Sequence, residues 1–319
     1  MAERTLCVTG AGGFLASWVV KILLSKGYAV HGTVRDPSDA KYAHLKKLDK
    51  ASEKLRLFKA DLLDYDSLRL AIEGCCGVLH VACPVPSSSV SNPEVELLAP
   101  AVKGTLNVLK ACSEAKVKRV VYVSSVAAMM MNPSWPKGQA MDELSWSDKE
   151  YCRRTENWYC LSKTEAESEA LEYAKINGLD VISVCPSLIF GPVLQSTLNA
   201  STTALLNLMK GGQESVPNRL RNLVDVRDVA AAVILAYEKS EAEGRYTCTS
   251  HCIKTRDLVE KLKSLYPNYN YPHSFTETEE GITLSSEKLQ GLGWTYKPLE
   301  ETLVDSVESY RASGLLEVK

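Results

Sequence analysis

This sequence is most restrictive in what it withholds. Its five histidines include no pair four apart on a predicted helix, and its ten cysteines include no Cys-x-x-Cys pair. Neither a zinc site nor a redox dithiol is therefore written into its spacing, and no metal is expected. The cluster Cys248-Thr249-Ser250-His251-Cys252 has the residue types of a metal site but no second ligand pair, and it reads as an ordinary strand-to-loop segment. No run approaches the roughly 20 apolar residues that cross a bilayer as a helix. A formal net charge of -2, with the basic residues scattered, gives no electrostatic reason to bind nucleic acid or an anionic membrane. The first residues run from Met1 almost directly into the apolar Leu6-Cys7-Val8, leaving no room for a charged leader, an apolar segment and a cleavage site. A cytoplasmic chain is expected, its cysteines mostly small buried apolar residues. Internal repeats and low-complexity linkers are absent too.

What is present is ample material for a core, 45% hydrophobic in 319 residues. Short β-rich runs at 5–9, 29–34, 55–59, 77–81, 119–124 and 179–185 alternate with amphipathic stretches at 14–25, 65–72, 95–115 and 157–176. That alternation predicts parallel strands joined by crossover helices, an α/β fold of the Rossmann type with a doubly wound parallel sheet. After Gly191-Pro192 the pattern loosens into a helix at 200–210, a short run at 223–226, a helix at 228–238 and short segments beyond. The expected division is a dinucleotide-binding domain over 1–190 and a smaller C-terminal substrate lobe over 191–319, packed on the first and closing a cleft.

Directly after the first strand comes VTGAGGFLAS, with Gly10, Gly13 and Ala16 spaced three apart at the start of a helix. Glycine allows the tight strand-to-helix turn and lets backbone N–H groups reach a pyrophosphate, whose charge is favoured at a helix N-terminus. Gly10, Gly12, Gly13, Phe14 and Leu15 are the expected phosphate cradle. A Gly-rich turn alone is weak evidence, but this one follows a strand, opens a helix and begins a βαβ unit. The second strand ends in Gly32-Thr33-Val34-Arg35-Asp36, where an NAD enzyme presents an acid to the ribose. Arg35 stands there instead. Its planar cation can stack on adenine and pair with a 2′-phosphate, and Lys41 can add a second charge, so NADP(H) is the expected cofactor. The competing reading of Arg35 is a simple ion pair with Asp36.

Tyr159 and Lys163 lie four apart in NWYCLSKTEAE, so both project from one helix face. An ammonium there stabilises a phenolate, making proton donation to a developing alkoxide feasible at neutral pH. Ser125, ending the fifth strand in VVYVSSVAA, would hold the carbonyl oxygen; Ser124 beside it stays open as the alternative. Tyr-x-x-x-Lys is common by chance, and its weight comes from the glycine turn and the strand-ending serine found with it.

These motifs resemble the extended short-chain dehydrogenase/reductase superfamily, and within it the plant group of cinnamoyl-CoA reductases, dihydroflavonol reductases and their relatives. The resemblance covers the whole chain, through VTGAGGFLASWVVKILLSKGYAVHGTVRD, KADLLDYDSL, VSSVAA, NWYCLSK, NLVDVRDVAAA and GRYTCTS. It implies that Asp61 and Leu62 flank the adenine, that Val81, Ala82 and Cys83 line the dinucleotide path, that Pro186 and Ser187 sit by the nicotinamide, and that Lys163 also holds the nicotinamide ribose. It favours Ser125 as the catalytic serine. Two departures bear on substrate: Leu161-Ser162 replaces the Tyr-Gly typical of cinnamoyl-CoA reductases, and Ala204 and Asn207 replace a histidine and a lysine that contribute there to thioester recognition. Their loss favours a free aromatic aldehyde, as in short-chain-type cinnamyl alcohol dehydrogenases of phenylpropanoid and lignin metabolism, with Val126, Met129 to Met131 and residues near 188–194 as an apolar lining. The alternatives are a thioester or dihydroflavonol-type reductase, a nucleotide-sugar epimerase or dehydratase, and a non-catalytic NADPH-binding regulator. Some relatives also have a cysteine pair at the positions of Cys152 and Cys160 that can cross-link; here that requires Cys152 to lie in a loop preceding the helix that starts near Asn157. Nothing in the sequence bears on oligomeric state.

Overall fold

The computed structural model describes residues 4–83, 91–211, 214–278 and 281–317. Its first unit is β1 (Thr5–Val8), α1 (Phe14–Ser25) and β2 (Ala29–Val34). Two short helices, α2 (Ala43–Lys46) and α3 (Ala51–Lys54), lead to β3 (Leu55–Lys59), α4 (Tyr65–Ile72), β4 (Gly77–His80), α5 (Ala99–Glu114) and β5 (Arg119–Val123). There follow α6 (Lys149–Arg154), α7 (Trp158–Asn177), β6 (Val181–Pro186), β7 (Leu188–Phe190), α8 (Ala200–Lys210), β8 (Ser215–Pro217), β9 (Leu220–Asp225) and α9 (Val226–Glu238). The chain ends through β10 (Arg245–Cys248), β11 (His251–Lys254), α10 (Thr255–Leu265), β12 (Ser274–Thr276), α11 (Glu287–Gly291) and α12 (Leu299–Ala312).

Seven strands form one sheet in the order β10-β6-β5-β4-β1-β2-β3, every neighbouring pair parallel. The order reverses between β1 and β4, which opens a crevice at their C-terminal ends, the usual ligand position in a doubly wound sheet. Helices α1 and α9 cover one face, burying Leu15, Val19, Val20 and Leu23 against Val229, Val233 and Ala236. Helices α4, α5 and α7 cover the other, with Leu68, Ile72, Val108, Leu109, Ala166 and Ala170 in a second core. Being buried on both faces, the inner strands β1, β4, β5 and β6 read as largely apolar runs rather than alternating ones. No helix among the described residues is long and apolar enough to cross a membrane.

The structure departs from expectation in three places. The predicted helix at 95–115 begins as a π turn, Glu94–Leu98, before the α-helical Ala99–Glu114. Pro100 has no N–H to give to the carbonyl four residues back, so the first turn winds more loosely. The expected boundary at 190/191 is crossed by the sheet itself: α9 and β10 return from the C-terminal part, β10 pairing with β6 from Arg245↔Ser183 to Cys248↔Pro186. Beyond 191, the short segments also include two long helices, α10 and α12, which build a third core with β7, α8 and β9 around Phe190, Leu205, Leu258, Leu303 and Tyr310.

One buried acid ties α9 to the segment ahead of α12. Asp228, in the first turn of α9 and 7% exposed, accepts from the Lys297 backbone N–H at 2.8 Å, while its own carbonyl accepts from Trp294 Nε1 at 2.9 Å. Burial, opposed by that hydrogen bond, raises its pKa from 3.8 to about 6. The folded protein therefore holds more protons than the unfolded chain between those values, and this group's contribution to stability is lost as pH rises through the window. Asp228→Asn keeps the acceptor and removes the buried charge. It is expected to stabilise the protein by about 1–3 kcal/mol above pH 7 and by nearly nothing at pH 4, read from thermal unfolding across that range.

Candidate active site

The crevice is built on one hydroxyl that the sequence reading passed over. Thr9, fully buried just after β1, accepts from the backbone N–H groups of Val81 and Ala82 at 3.0 Å each and stands 2.8 Å from His80 Nδ1. With both lone pairs engaged, its proton goes to His80 Nδ1, which leaves the imidazole as the Nε2–H tautomer. Burial, followed by the charge of Lys163, pushes the His80 pKa down to about 3, so the ring is neutral beneath the site. The end of β4 that carries Val81, Ala82 and Cys83 is thereby tied to β1.

The glycine turn sits over this tie. Gly10 has φ +65°, donates to Thr33 Oγ1 at 3.0 Å, and a Cβ on it would come within 3.0 Å of the Ala82 Cβ. A side chain at Gly12 would run into the Tyr42 ring at 2.2 Å. Gly13 is the N-cap of α1 and provides no side-chain cap, so the first-turn N–H groups at Phe14 and Leu15 are left for an outside acceptor. A cradle that any Cβ would crowd, ending in an uncapped helix N-terminus, fits a dinucleotide pyrophosphate.

Arg35 emerges exposed at the end of β2. Asp36 is turned away from it: its Oδ1 accepts from the Ser38 N–H and hydroxyl at 2.9 and 2.7 Å, and among the described residues no ion pair joins Arg35 to Asp36. Lys41 is less available than expected, being paired with Asp39 at 2.8 Å; both are over a third exposed, and such a pair opens at little cost. Asp61 and Leu62 follow β3 at the same edge, with Asp61 exposed and accepting from the Leu63 N–H at 2.9 Å, and with Leu62 lying against Gly104.

Tyr159 and Lys163 both lie in the opening turns of α7, Tyr159 half-buried and Lys163 only 4% exposed. Burial opposes the lysine's charge, but Cys83, Tyr159 and Tyr122 favour it, and its pKa is raised overall. The two adjacent serines are set apart by alternation at the strand end. Ser124 points into the protein and donates to Glu167 Oε2 at 2.7 Å. Ser125 lies on the other side, half-buried, accepting from the Ala127 N–H at 3.1 Å and keeping its own proton to give.

Of the expected apolar lining, Met129 is core, fully buried with Val126 and Cys185, whereas Met130 and Met131 are half-exposed. Leu284 joins Met130 against that cluster from a distant segment, where the Met141 N–H donates to the Thr283 carbonyl at 2.9 Å and the Ser285 N–H donates to the Met141 carbonyl at 2.8 Å on either side of it. Pro186 ends β6, and Ser187 is committed to Thr249 Oγ1 at 3.0 Å. Ala204 and Asn207 share one face of α8, turned away from the buried Leu205, Leu206, Leu208 and Met209. Cys248 and Cys252 sit on separate strands, one buried and one exposed, with His251 bonded to the Lys297 carbonyl at 2.8 Å. Cys152 lies not in a loop, as expected, but on the short helix α6, which Asp148 caps at its N-terminus and which a break at Glu156, with φ +53°, sets off from α7. Both it and Cys160 are free thiols, and burial, then the nearby Cys152, pushes the Cys160 pKa up to about 12.

Residues 6–248 match the NAD dependent epimerase/dehydratase family. Cinnamoyl-CoA reductase 1 of Petunia hybrida is 45% identical over 322 residues, covering 100% of this chain and 95% of that protein. Tetraketide alpha-pyrone reductase 1 of Arabidopsis thaliana is 42% identical over 319 residues, covering 99% and 98%. Among solved structures, vestitone reductase from alfalfa (Medicago sativa L.) aligns with a TM-score of 0.85 at 34% identity over 98% of this chain and 100% of that one. Yeast methylglyoxal/isovaleraldehyde reductase Gre2, complexed with NADPH, aligns at 0.86 and 27% identity over 98% and 100%. The glycine cradle, the Tyr159/Lys163 helix and this similarity along the full length agree: the chain belongs to the NAD dependent epimerase/dehydratase family, in its extended short-chain dehydrogenase/reductase group.

Proposed function

We propose that this protein is an NADP(H)-dependent reductase that converts an aromatic, hydroxycinnamyl-type aldehyde to its alcohol. The observation that carries the carbonyl chemistry is the joint placement of Tyr159 and buried Lys163 on α7 with Ser125 at the end of β5. Exposed Arg35, free of Asp36, supports the 2′-phosphate cofactor, with Lys41 second once it leaves Asp39. NADPH, when bound, supplies the hydride.

The chain's own residues do the rest. The Ser125 and Tyr159 hydroxyls hold the carbonyl oxygen, and Tyr159 gives its proton to that oxygen as negative charge builds there. Lys163 stabilises the phenolate left behind and holds the nicotinamide ribose hydroxyls. Because His80 is neutral, no second cation competes beside it. Val126, Met130 and Leu284 offer an apolar flank for an aromatic ring. Ala204 and Asn207 place neither a cation nor an imidazole on the exposed side of α8, which supports an aldehyde over a CoA thioester. The thioester is the second reading, favoured by the 45% identity to a cinnamoyl-CoA reductase.

Tyr159→Phe is expected to lower turnover by about two orders of magnitude or more with fold and NADPH affinity retained, measured by steady-state kinetics and cofactor titration. Near-normal turnover would remove Tyr159 from the role. Arg35→Asp should move the ratio of kcat/KM values from NADPH toward NADH by about tenfold or more, since it removes a partner and adds a repulsive charge; an unchanged ratio places phosphate recognition elsewhere. With coniferaldehyde and a hydroxycinnamoyl-CoA at equal concentration, only the aldehyde should turn over efficiently. Equal turnover would return the protein to thioester reduction, and Ala204→His with Asn207→Lys should then strengthen thioester binding.

A further inference from the structure

A carboxylate that the proposed chemistry does not use lies one helical turn beyond Lys163. Glu167 is fully buried. Its Oε1 accepts from Ser183 Oγ at 2.6 Å and Arg245 Nε at 2.8 Å, with the Cys185 thiol at 3.4 Å, and its Oε2 accepts from Ser124 Oγ at 2.7 Å and Arg245 Nη2 at 3.3 Å. Arg245, 7% exposed, also donates to the carbonyls of Glu143 and Ser145 at 2.8 and 2.7 Å and lies 3.6 Å over the Trp146 ring. The segment it grips folds back on the turn after Ser125: Ser145 Oγ donates to the Met129 carbonyl at 2.9 Å, and Ser147 Oγ to the Ala127 carbonyl at 2.8 Å.

A buried ion pair is a poor investment in stability, because an apolar pair of similar shape usually serves as well or better. What an apolar pair cannot do is bind several donors from different elements to one point. Here the elements brought together are those of the carbonyl site. Tyr159, Lys163 and Glu167 form a single stripe along α7 at spacings of four. Ser124 is the residue before Ser125, and β6 and β10 contribute Ser183 and Arg245.

We propose that Glu167, clamped by Arg245, is a positioning residue: through Ser124 it fixes the strand end that presents Ser125, and through its own helix it fixes Tyr159, so that the two hydroxyls stand in register for one carbonyl oxygen. This rests on the reading of Ser125 and Tyr159 as the carbonyl-binding pair, and deepens it. The carboxylate touches no substrate.

Two serines on the same carboxylate separate positioning from stability. Ser124→Ala and Ser183→Ala each delete one hydroxyl bond to the carboxylate, of nearly equal length, and leave the ion pair whole, Ser183→Ala losing in addition only a long contact to the Cys185 sulfur at 3.7 Å, so they should lower the melting temperature by similar amounts. Only Ser124 adjoins Ser125. With whichever carbonyl the wild type reduces fastest, Ser124→Ala should lower kcat about fivefold or more with KM and the NADPH Kd within about twofold, and Ser183→Ala should retain a kcat about threefold or more above it. Equal kcat in the two variants, or wild-type kcat in Ser124→Ala, overturns the proposal. The uncharged pair Glu167→Gln with Arg245→Gln avoids the lone buried charge of either single change. If folded, it should bind NADPH and lose kcat about tenfold, and wild-type kcat there overturns the proposal as well. If it does not fold, the serine comparison decides. If the wild type reduces no carbonyl offered, the functional reading fails separately. The positioning is then judged from crystal structures, in which the Ser125 Oγ to Tyr159 Oη distance must change in Ser124→Ala and hold in Ser183→Ala.

Discussion

The polar interior of this protein is organised around a buried cation. Lys163 is 4% exposed on a helix packed against the sheet, and taking an ammonium out of water costs several kcal/mol unless its surroundings compensate. Compensation comes from groups on separate elements: Cys83 after β4, Tyr122 on β5 and Tyr159 one turn back on α7. His80, directly across the register from Tyr122, is kept neutral by the same burial, and Thr9 fixes its tautomer from β1. Three neighbouring parallel strands, β1, β4 and β5, thus meet α7 around a single charge.

That dependence explains which parts were legible in the sequence. The first half was read almost to the residue, with β2, β3, α1 and α4 matching their expected bounds, because each is a local statement of composition and period. The glycine turn was legible for the same reason: the requirement for φ +65° at Gly10 and the missing room at Gly12 belong to one short string. Thr9 and His80 were passed over because a threonine ending a strand and a histidine inside one say nothing until β1 and β4 lie side by side. The signal available was weak, two polar residues at the ends of otherwise apolar strands.

The C-terminal part was harder, for two different reasons. Strand β10 reads Arg-Tyr-Thr-Cys and is buried along its whole length, so neither alternation nor an apolar run marks it, and its place in the first sheet follows from pairing with β6 alone. Strands β7, β8 and β12 are three residues each, too short to carry a period. Helices α10 and α12 are another matter. Leu258, Val259 and Leu262, and Leu303, Val307 and Tyr310, stand at helical spacing, a local signal that marks both helices in the sequence.

Ser124 and Ser125 show why residue type underdetermines role where geometry does not. A strand turns successive side chains to opposite faces, so two identical neighbours at its end receive different environments. One meets a buried carboxylate, and the other, half-buried, accepts from the Ala127 N–H. Which serine goes where is set by register, and register is set by what α7 places behind the strand. Glu167 lies four residues after Lys163 and eight after Tyr159, so the spacing that brings the tyrosine and lysine to one face brings the carboxylate there too. The Tyr159 and Lys163 stripe and the carboxylate beyond it are therefore a single helical pattern. Shifting β5 by one residue against α7 would exchange the serines, leaving Glu167 the wrong partner and the crevice a different hydroxyl.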